Sequence, residues 1–289
     1  MSASHDTLHT RAVFYTCVAM LAFAGNSILC RLALRDAAID PASFTSVRLV
    51  SGAITLLIIF RIMRSGNSLR THGSWLSAMM LFLYAVCFSF AYIALSAGTG
   101  ALILFGFVQG TMIAIGLWSG DRPAAVEWLG WLLAIAGLVW LVLPGVEAPP
   151  VAGATLMAIA GVAWGIYSIR GRAESDALAS TTANFLLSVA MVLVLTIMTF
   201  SGAGISNRGI VLAIVSGAVT SGVGYVIWYA ALNSLSSMQA ALVQLSVPAI
   251  AMAGGVLLLA EPLSLRLLVS SGLVLGGIGI ALTFKLRYI

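Results

Sequence analysis

The chain has 289 residues, 61% of them hydrophobic and 8% charged, with a formal net charge of +5 and a mean hydropathy of +1.09. Soluble domains carry about 25% charged residues, so a water-facing fold is excluded and the chain reads as an integral membrane protein. The positive balance is not a nucleic-acid footprint, because the basic residues stand singly near the ends of apolar runs and form no stripe interleaved with aromatics.

Sheet barrels read as alternating segments of about ten residues, whereas spanning helices need about 20 apolar residues in a row. The runs here are long and continuous, which predicts an all-α polytopic protein. Breaks at polar, Gly and Pro clusters place ten spans at 12–35, 42–63, 73–96, 100–119, 124–143, 151–171, 179–201, 208–232, 237–258 and 264–284. The polar start "MSASHDTLHTR" precedes a run already long enough to span, so no cleavable signal peptide is expected.

Along the chain, Asn26 is an amide inside the first span. Arg48 lies about two turns into the second. Such a charge must find a partner or snorkel, and pairing with helix-end carbonyls or with Asp40 is the favoured reading over a hold on a substrate carboxylate. In the third span Tyr84, Phe88 and Tyr92 recur every four residues and share one helix face. The stretch "GLWSGDRPAAVEWLGWLLAIAGLVWLVL" breaks at Asp121 and Pro123. Trp164 and Tyr167 lie three apart in the sixth span, and Tyr225 lies in the eighth. Gln244 is an amide of the ninth span, where Pro248 removes a backbone donor and should kink the helix. A candidate hinge or gate therefore sits at Pro248. Finally "LLLAEPLSLRLLVSSGLVLGGIGIAL" breaks at Glu261 and Pro262.

The two breaks correspond at an offset of 140 positions, which pairs Asp121 with Glu261, Val108 with Pro248 and Gly137 with Gly277. Five spans per half is an odd number, so the second half enters the membrane upside down. The expected plan is two inverted five-helix halves, 1–145 and 146–289, around a central cavity. Asp121 and Glu261 then serve turn and cap roles, since an acid near a helix start faces the positive end of its dipole. The glycine-rich fifth and tenth spans permit close helix contact.

These tandem halves, each closing on an acid-containing turn before a glycine-rich helix, resemble the drug/metabolite transporter superfamily, EamA type. The motifs are "WGIYSIR" (164–170), "YAALNSLSSMQAALVQLSVP" (229–248) and "LLLAEP" (257–262). The first half departs from the pattern at Val108, where the second half has Pro248, and at Asp121, where Glu is usual. Within the family the chain looks most like the YddG-type exporters of aromatic amino acids. The resemblance implies transport of small metabolites by alternating access.

The residues narrow the mechanism. No Asp, Glu, Lys or His falls in a span core, so the titratable group of a proton-coupled carrier is missing. Arg48 alone could meet a phosphorylated substrate, which argues against that class. The absence of a Walker loop, an HExxH or a Ser–His–Asp set argues against an enzyme, and Cys17, Cys30 and Cys87 form no metal pattern, so no cofactor or metal is expected. A channel would need a continuous polar pore or charged rings. The expected substrate path is aromatic and neutral-polar, carried by Trp164, Tyr84, Phe88, Tyr92, Asn26, Gln244, Tyr225 and Tyr167. The expected substrates are amino acids with an aromatic preference, exported without ion coupling. With both termini cytoplasmic, nine Lys and Arg residues lie inside and four outside, out of 14, which predicts that orientation in an inner membrane.

Overall fold

The computed structural model describes residues 2–63, 69, 72–120, 124–145, 147–172, 174–199, 205–232, 234–235 and 237–285, with backbone only in 2–10, 237–239 and 283–285. All regular structure among the described residues is helical. The helices are α1 (Ser2–Arg35), α2 (Pro41–Met63), α3 (Trp75–Ala91), α4 (Ala97–Trp118), α5 (Ala125–Val142), α6 (Val151–Arg172) and α7 (Ala177–Thr199). They continue with α8 (Asn207–Ile214), a π-helical segment (Val215–Val223), α9 (Gly224–Leu232), α10 (Ser237–Gln244), α11 (Ser246–Leu259) and α12 (Leu265–Lys285).

α8, the π segment and α9 run as one eighth span, and α10 with α11 form the ninth. Nine spans among the described residues are long and apolar enough to cross a bilayer. α3 has 17 residues, about 26 Å at 1.5 Å per residue, and falls short of them. The bundle is apolar outside as well as inside: Leu21, Ile58, Ile197, Met198 and Leu257 are exposed, as lipid-facing surfaces are. The chain is a multi-pass membrane protein.

Short connections make successive spans antiparallel, so α1 begins and α12 ends at one end of the bundle, here the terminal end. Helix contacts come in matched sets. α5 packs on α12, α2 on α7 and α4 on α11. α3 packs on α6 much as α1 packs on the eighth span, and α4 on α6 as α1 on α11. Exchanging the first five spans for the last five maps this set onto itself. At the α5–α12 crossing Gly130 and Gly277 face each other, and a Cβ on either would overlap the other's carbonyl oxygen.

The opposite, distal end is closed by arginines that cap helix C-termini. Exposed carbonyls there carry partial negative charge and accept from cations. Arg31 Nη1 donates to the carbonyls of Tyr92 (3.0 Å) and Ile93 (2.9 Å) after α3. Arg35 Nη1 donates to Leu259 O of α11 at 2.7 Å. Arg266 Nη1 donates to the carbonyls of Leu141 and Leu143 at the end of α5. The hydrogen bond from Arg35, with Arg208 nearby, holds the Asp36 carboxyl below the usual aspartate range, so this end stays an ionised cluster at neutral pH.

Three features refine the sequence expectations. α3 stops at Ala91, and Tyr92 is its C-cap (φ −73°, ψ −1°), followed by a turn to Ser96, whose hydroxyl caps α4 by accepting from Thr99 N at 3.2 Å. The ninth span is interrupted at Leu245. Pro248 has no N–H for the carbonyl of Gln244, which accounts for a break one turn before it. Nine residues of the eighth span ("VSGAVTSGV") are π-helical, and Gly217 among them packs directly on the backbone of α2 at Arg48. Asp121 lies outside the described residues.

Candidate functional site

Spans from both halves converge on one cavity at mid-depth. From α1 it takes Phe23, Asn26 and Ser27, and from α3 Tyr84 and Phe88. α4 adds Leu104 and Phe105, α6 adds Trp164, and the eighth span adds Thr220, Ser221 and Tyr225. The free volume at its centre is about 20 Å³, room for about one water. A metabolite would therefore require its walls to move.

Aromatic rings make most of that wall. Trp164 is its centre, with ring centroids 4.8 Å from Tyr84, 5.3 Å from Tyr225 and 5.4 Å from Tyr167. Phe23 closes the terminal side, 5.8 Å from both Tyr225 and Trp228 and 6.5 Å from Trp164. Offset and edge-on arrangements of this kind are the favoured ones for aromatic pairs. A layer of rings thus separates the cavity from the terminal end.

The opposite wall is polar, and its hydrogen bonds are specific. Asn26 Oδ1 accepts from the Ser216 hydroxyl at 2.6 Å, while the Thr220 hydroxyl, 3.4 Å from it, gives its proton to Ser216 O at 2.7 Å. Asn26 Nδ2 donates to the Tyr84 hydroxyl at 3.3 Å. The π segment is what turns Ser216, Thr220 and Ser221 toward α1 and α2 together. π-helical turns concentrate at functional sites.

Behind Tyr84 stands Arg48, which is 2% exposed. Its Nη2 donates to the Tyr84 hydroxyl at 3.2 Å and its Nε to Ser221 Oγ at 3.3 Å. The guanidinium carbon lies 5.2 Å from the Tyr84 ring and 5.0 Å from the Phe88 ring, within cation–π range. Nη1 has no partner among the described residues. Asp40 is engaged elsewhere, accepting from Ala42 N (3.0 Å) and Ser43 N (2.9 Å) at the start of α2. The expected pairing of Arg48 with helix-end carbonyls or Asp40 is therefore corrected: it turns inward to the cavity wall.

Of the residues expected on the path, the structure brings Trp164, Tyr84, Phe88, Asn26 and Tyr225 together. Tyr167 lies behind Trp164. Tyr92 lies outside the cavity lining. It keeps the Phe88 face, with its N–H bonded to Phe88 O and its ring 4.7 Å from the Phe88 ring, but sits one turn beyond the cavity, its hydroxyl donating to Ala97 O at 3.3 Å beneath the distal seal. Gln244 is also outside, its amide donating to Ala240 O at 3.2 Å, as suits an amide beside a broken turn. Phe23, Ser27, Thr220 and Ser221 were not anticipated; the density of Ser, Thr and Gly in 215–223 was the one signal for Thr220 and Ser221, and Phe23 and Ser27 had none.

Glu261 lies in the turn before α12 but does not cap α12, whose start accepts help from Ser264 Oγ instead. Its Oε1 accepts from Arg31 Nε at 3.0 Å and its Oε2 from Ala97 N at 2.8 Å. It thus caps α4, in the other half of the chain, and ties α1 to it.

The model of the EamA-like transporter family matches twice, at residues 10–143 and 151–283. An uncharacterised protein of Pseudomonas aeruginosa is 47% identical over 276 residues, covering 96% of each chain. An uncharacterised transporter of Archaeoglobus fulgidus is 27% identical over 202 residues, covering 68% of this chain and 71% of its own. A protein of known crystal structure superposes with a TM-score of 0.68 at 18% identity, covering 97% of this chain and 99% of its own; that likeness concerns the fold.

Proposed function

Because the chain belongs to the EamA-like transporter family, we propose that this membrane transporter exports small metabolites through the Trp164 cavity, with amino acids bearing aromatic side chains as its foremost substrates. The observation that carries this reading is the cage of Trp164, Tyr84, Tyr225 and Phe23, whose faces can stack on an aromatic side chain for about 0.5–1.5 kcal/mol beyond burial. The proposed likeness to YddG-type exporters rests on the sequence resemblance.

The proposed mechanism is alternating access. The Arg31–Glu261 tie would open to release substrate at the distal face, and the ring layer around Phe23 would part at the terminal face. The break at Leu245 and Pro248 is the proposed hinge, because a helix missing a backbone bond bends there at least cost. Termini in the cytoplasm of a bacterial-type inner membrane follow from the distribution of basic residues. Two inverted halves, 1–145 and 146–289, are the proposed units that rock against each other.

Flux of a radiolabelled amino-acid panel from liposomes holding the purified protein tests this reading. Phenylalanine, tyrosine and tryptophan should leave faster than glycine or glutamate, and empty liposomes should show neither. Equal flux across the panel, or none, removes the aromatic amino-acid reading.

A further inference from the structure

We propose that Arg48 is the carboxylate-binding residue of the cavity and that the substrate's own carboxylate supplies its missing counter-ion. The inference rests on the reading of the Trp164 cavity as the substrate site and names the group recognised there.

The first argument is charge. Arg48 is 2% exposed, and no ion pair formed by the described residues includes it. A buried charge without an opposite charge costs several kcal/mol, and in membrane spans such residues mark ligand or ion pathways. A structural role would pair the guanidinium or let it snorkel. Instead it is held by two hydroxyls and two ring faces, with Nη1 left over.

The second argument counts donors and acceptors. Tyr84 Oη already accepts twice, from Asn26 Nδ2 and Arg48 Nη2. A hydroxyl has one proton to give, and that of Tyr84 has no acceptor among the hydrogen bonds of the described residues. Ser221 Oγ likewise accepts from Arg48 Nε and keeps its proton. Asn26 Oδ1 accepts the Ser216 hydroxyl proton at 2.6 Å. The corner therefore holds three donors without an acceptor, Arg48 Nη1–H, the Tyr84 O–H and the Ser221 O–H, the two hydroxyls lining the cavity and the guanidinium standing directly behind them. A guanidinium flanked by donors matches the two oxygens of a carboxylate. Across the cavity the aromatic cage receives an apolar body. A small organic acid with an aromatic or apolar side chain satisfies both walls. An ester or amine lacking the anionic oxygens satisfies one.

Calorimetric titration of the purified full-length protein tests this with four ligands: L-phenylalanine, 3-phenylpropanoate, L-phenylalanine methyl ester and phenethylamine. The two acids should bind at least about tenfold more tightly than the ester and the amine, as hydrogen bonds to a charged group would give. Arg48→Gln should erase that preference. Its ligand-free melting temperature should equal or exceed that of the parent, because an uncompensated charge has gone. Tyr84→Phe, which keeps the ring, should shrink the preference. Esters and amines binding as tightly as the acids, or an acid preference that survives Arg48→Gln, would overturn the proposal. So would a lowered Arg48→Gln melting temperature together with an unaltered preference in Tyr84→Phe. If short aliphatic acids bind in an Arg48-dependent way while the aromatic ligands do not, the carboxylate site stands and the aromatic amino-acid reading falls.

Discussion

Glu261 and Ala97 lie 164 positions apart, yet the Glu261 carboxylate accepts the backbone N–H of Ala97 at 2.8 Å while its other oxygen holds Arg31. One side chain of the second half thereby caps a helix of the first and ties a second helix to it. Glu261→Gln keeps an acceptor for Ala97 but surrenders the ion pair, leaving Arg31 partly buried without its charge partner. The expected loss is about 2–4 kcal/mol, seen as a lower melting temperature in detergent. Glu261→Asp should fare little better, because a chain one methylene shorter cannot reach both partners. An unchanged melting temperature for both variants would remove the tie from the account.

At Gly217 an added methyl would overlap the Arg48 carbonyl and Ser51 Oγ. The carbonyl is backbone of α2, so the helices must separate. Gly217→Ala should cost about 1–3 kcal/mol and displace Arg48 from Ser221. Thermal unfolding and the acid preference should fall together; a fall in neither contradicts the close crossing.

Restoring the donor at the broken ninth span gives a different signature. Pro248→Ala returns the N–H that Gln244 O lacks and should leave the protein as stable as the parent or more so. As the proposed hinge stiffens, flux should slow. Parent-like flux from a well-folded Pro248→Ala would place the hinge elsewhere.

Trp164→Leu should reduce binding of aromatic substrates by about 2- to 12-fold, the equivalent of 0.5–1.5 kcal/mol of stacking, with a smaller effect on leucine. Equal losses for aromatic and aliphatic substrates would mean that Trp164 shapes the cavity without contacting the ring.

The helices were legible in the sequence because long apolar runs leave few alternatives in a bilayer, and the break near Pro248 because a missing N–H acts locally. The cavity was legible in part. Periodicity placed Tyr84, Phe88 and Tyr92 on one face, but it does not say where along that face the cavity ends, which is one turn before Tyr92. Arg48 was visible as an oddity and its partners were not. Tyr84 and Ser221 lie 36 and 173 positions away, and helical periodicity says nothing about which helix lies opposite. The π segment also escaped notice, since its register is set by packing Gly217 against α2. Glu261 was assigned to the helix that follows it, whereas the tertiary fold brings the start of α4 closer.

Uncoupled transport is the central claim, and it rests on a cavity lining that holds no carboxylate, no histidine and no other charged side chain, with Arg48 standing just behind Tyr84, Phe88 and Ser221. Such a site has no group that binds and releases a proton near neutral pH. The most direct measurement is made on proteoliposomes with labelled phenylalanine at equal concentration on both sides, under an imposed pH or sodium gradient. Label should exchange and net content should stay level in either gradient. Uphill accumulation that collapses with a protonophore or with sodium equilibration would contradict uncoupled transport.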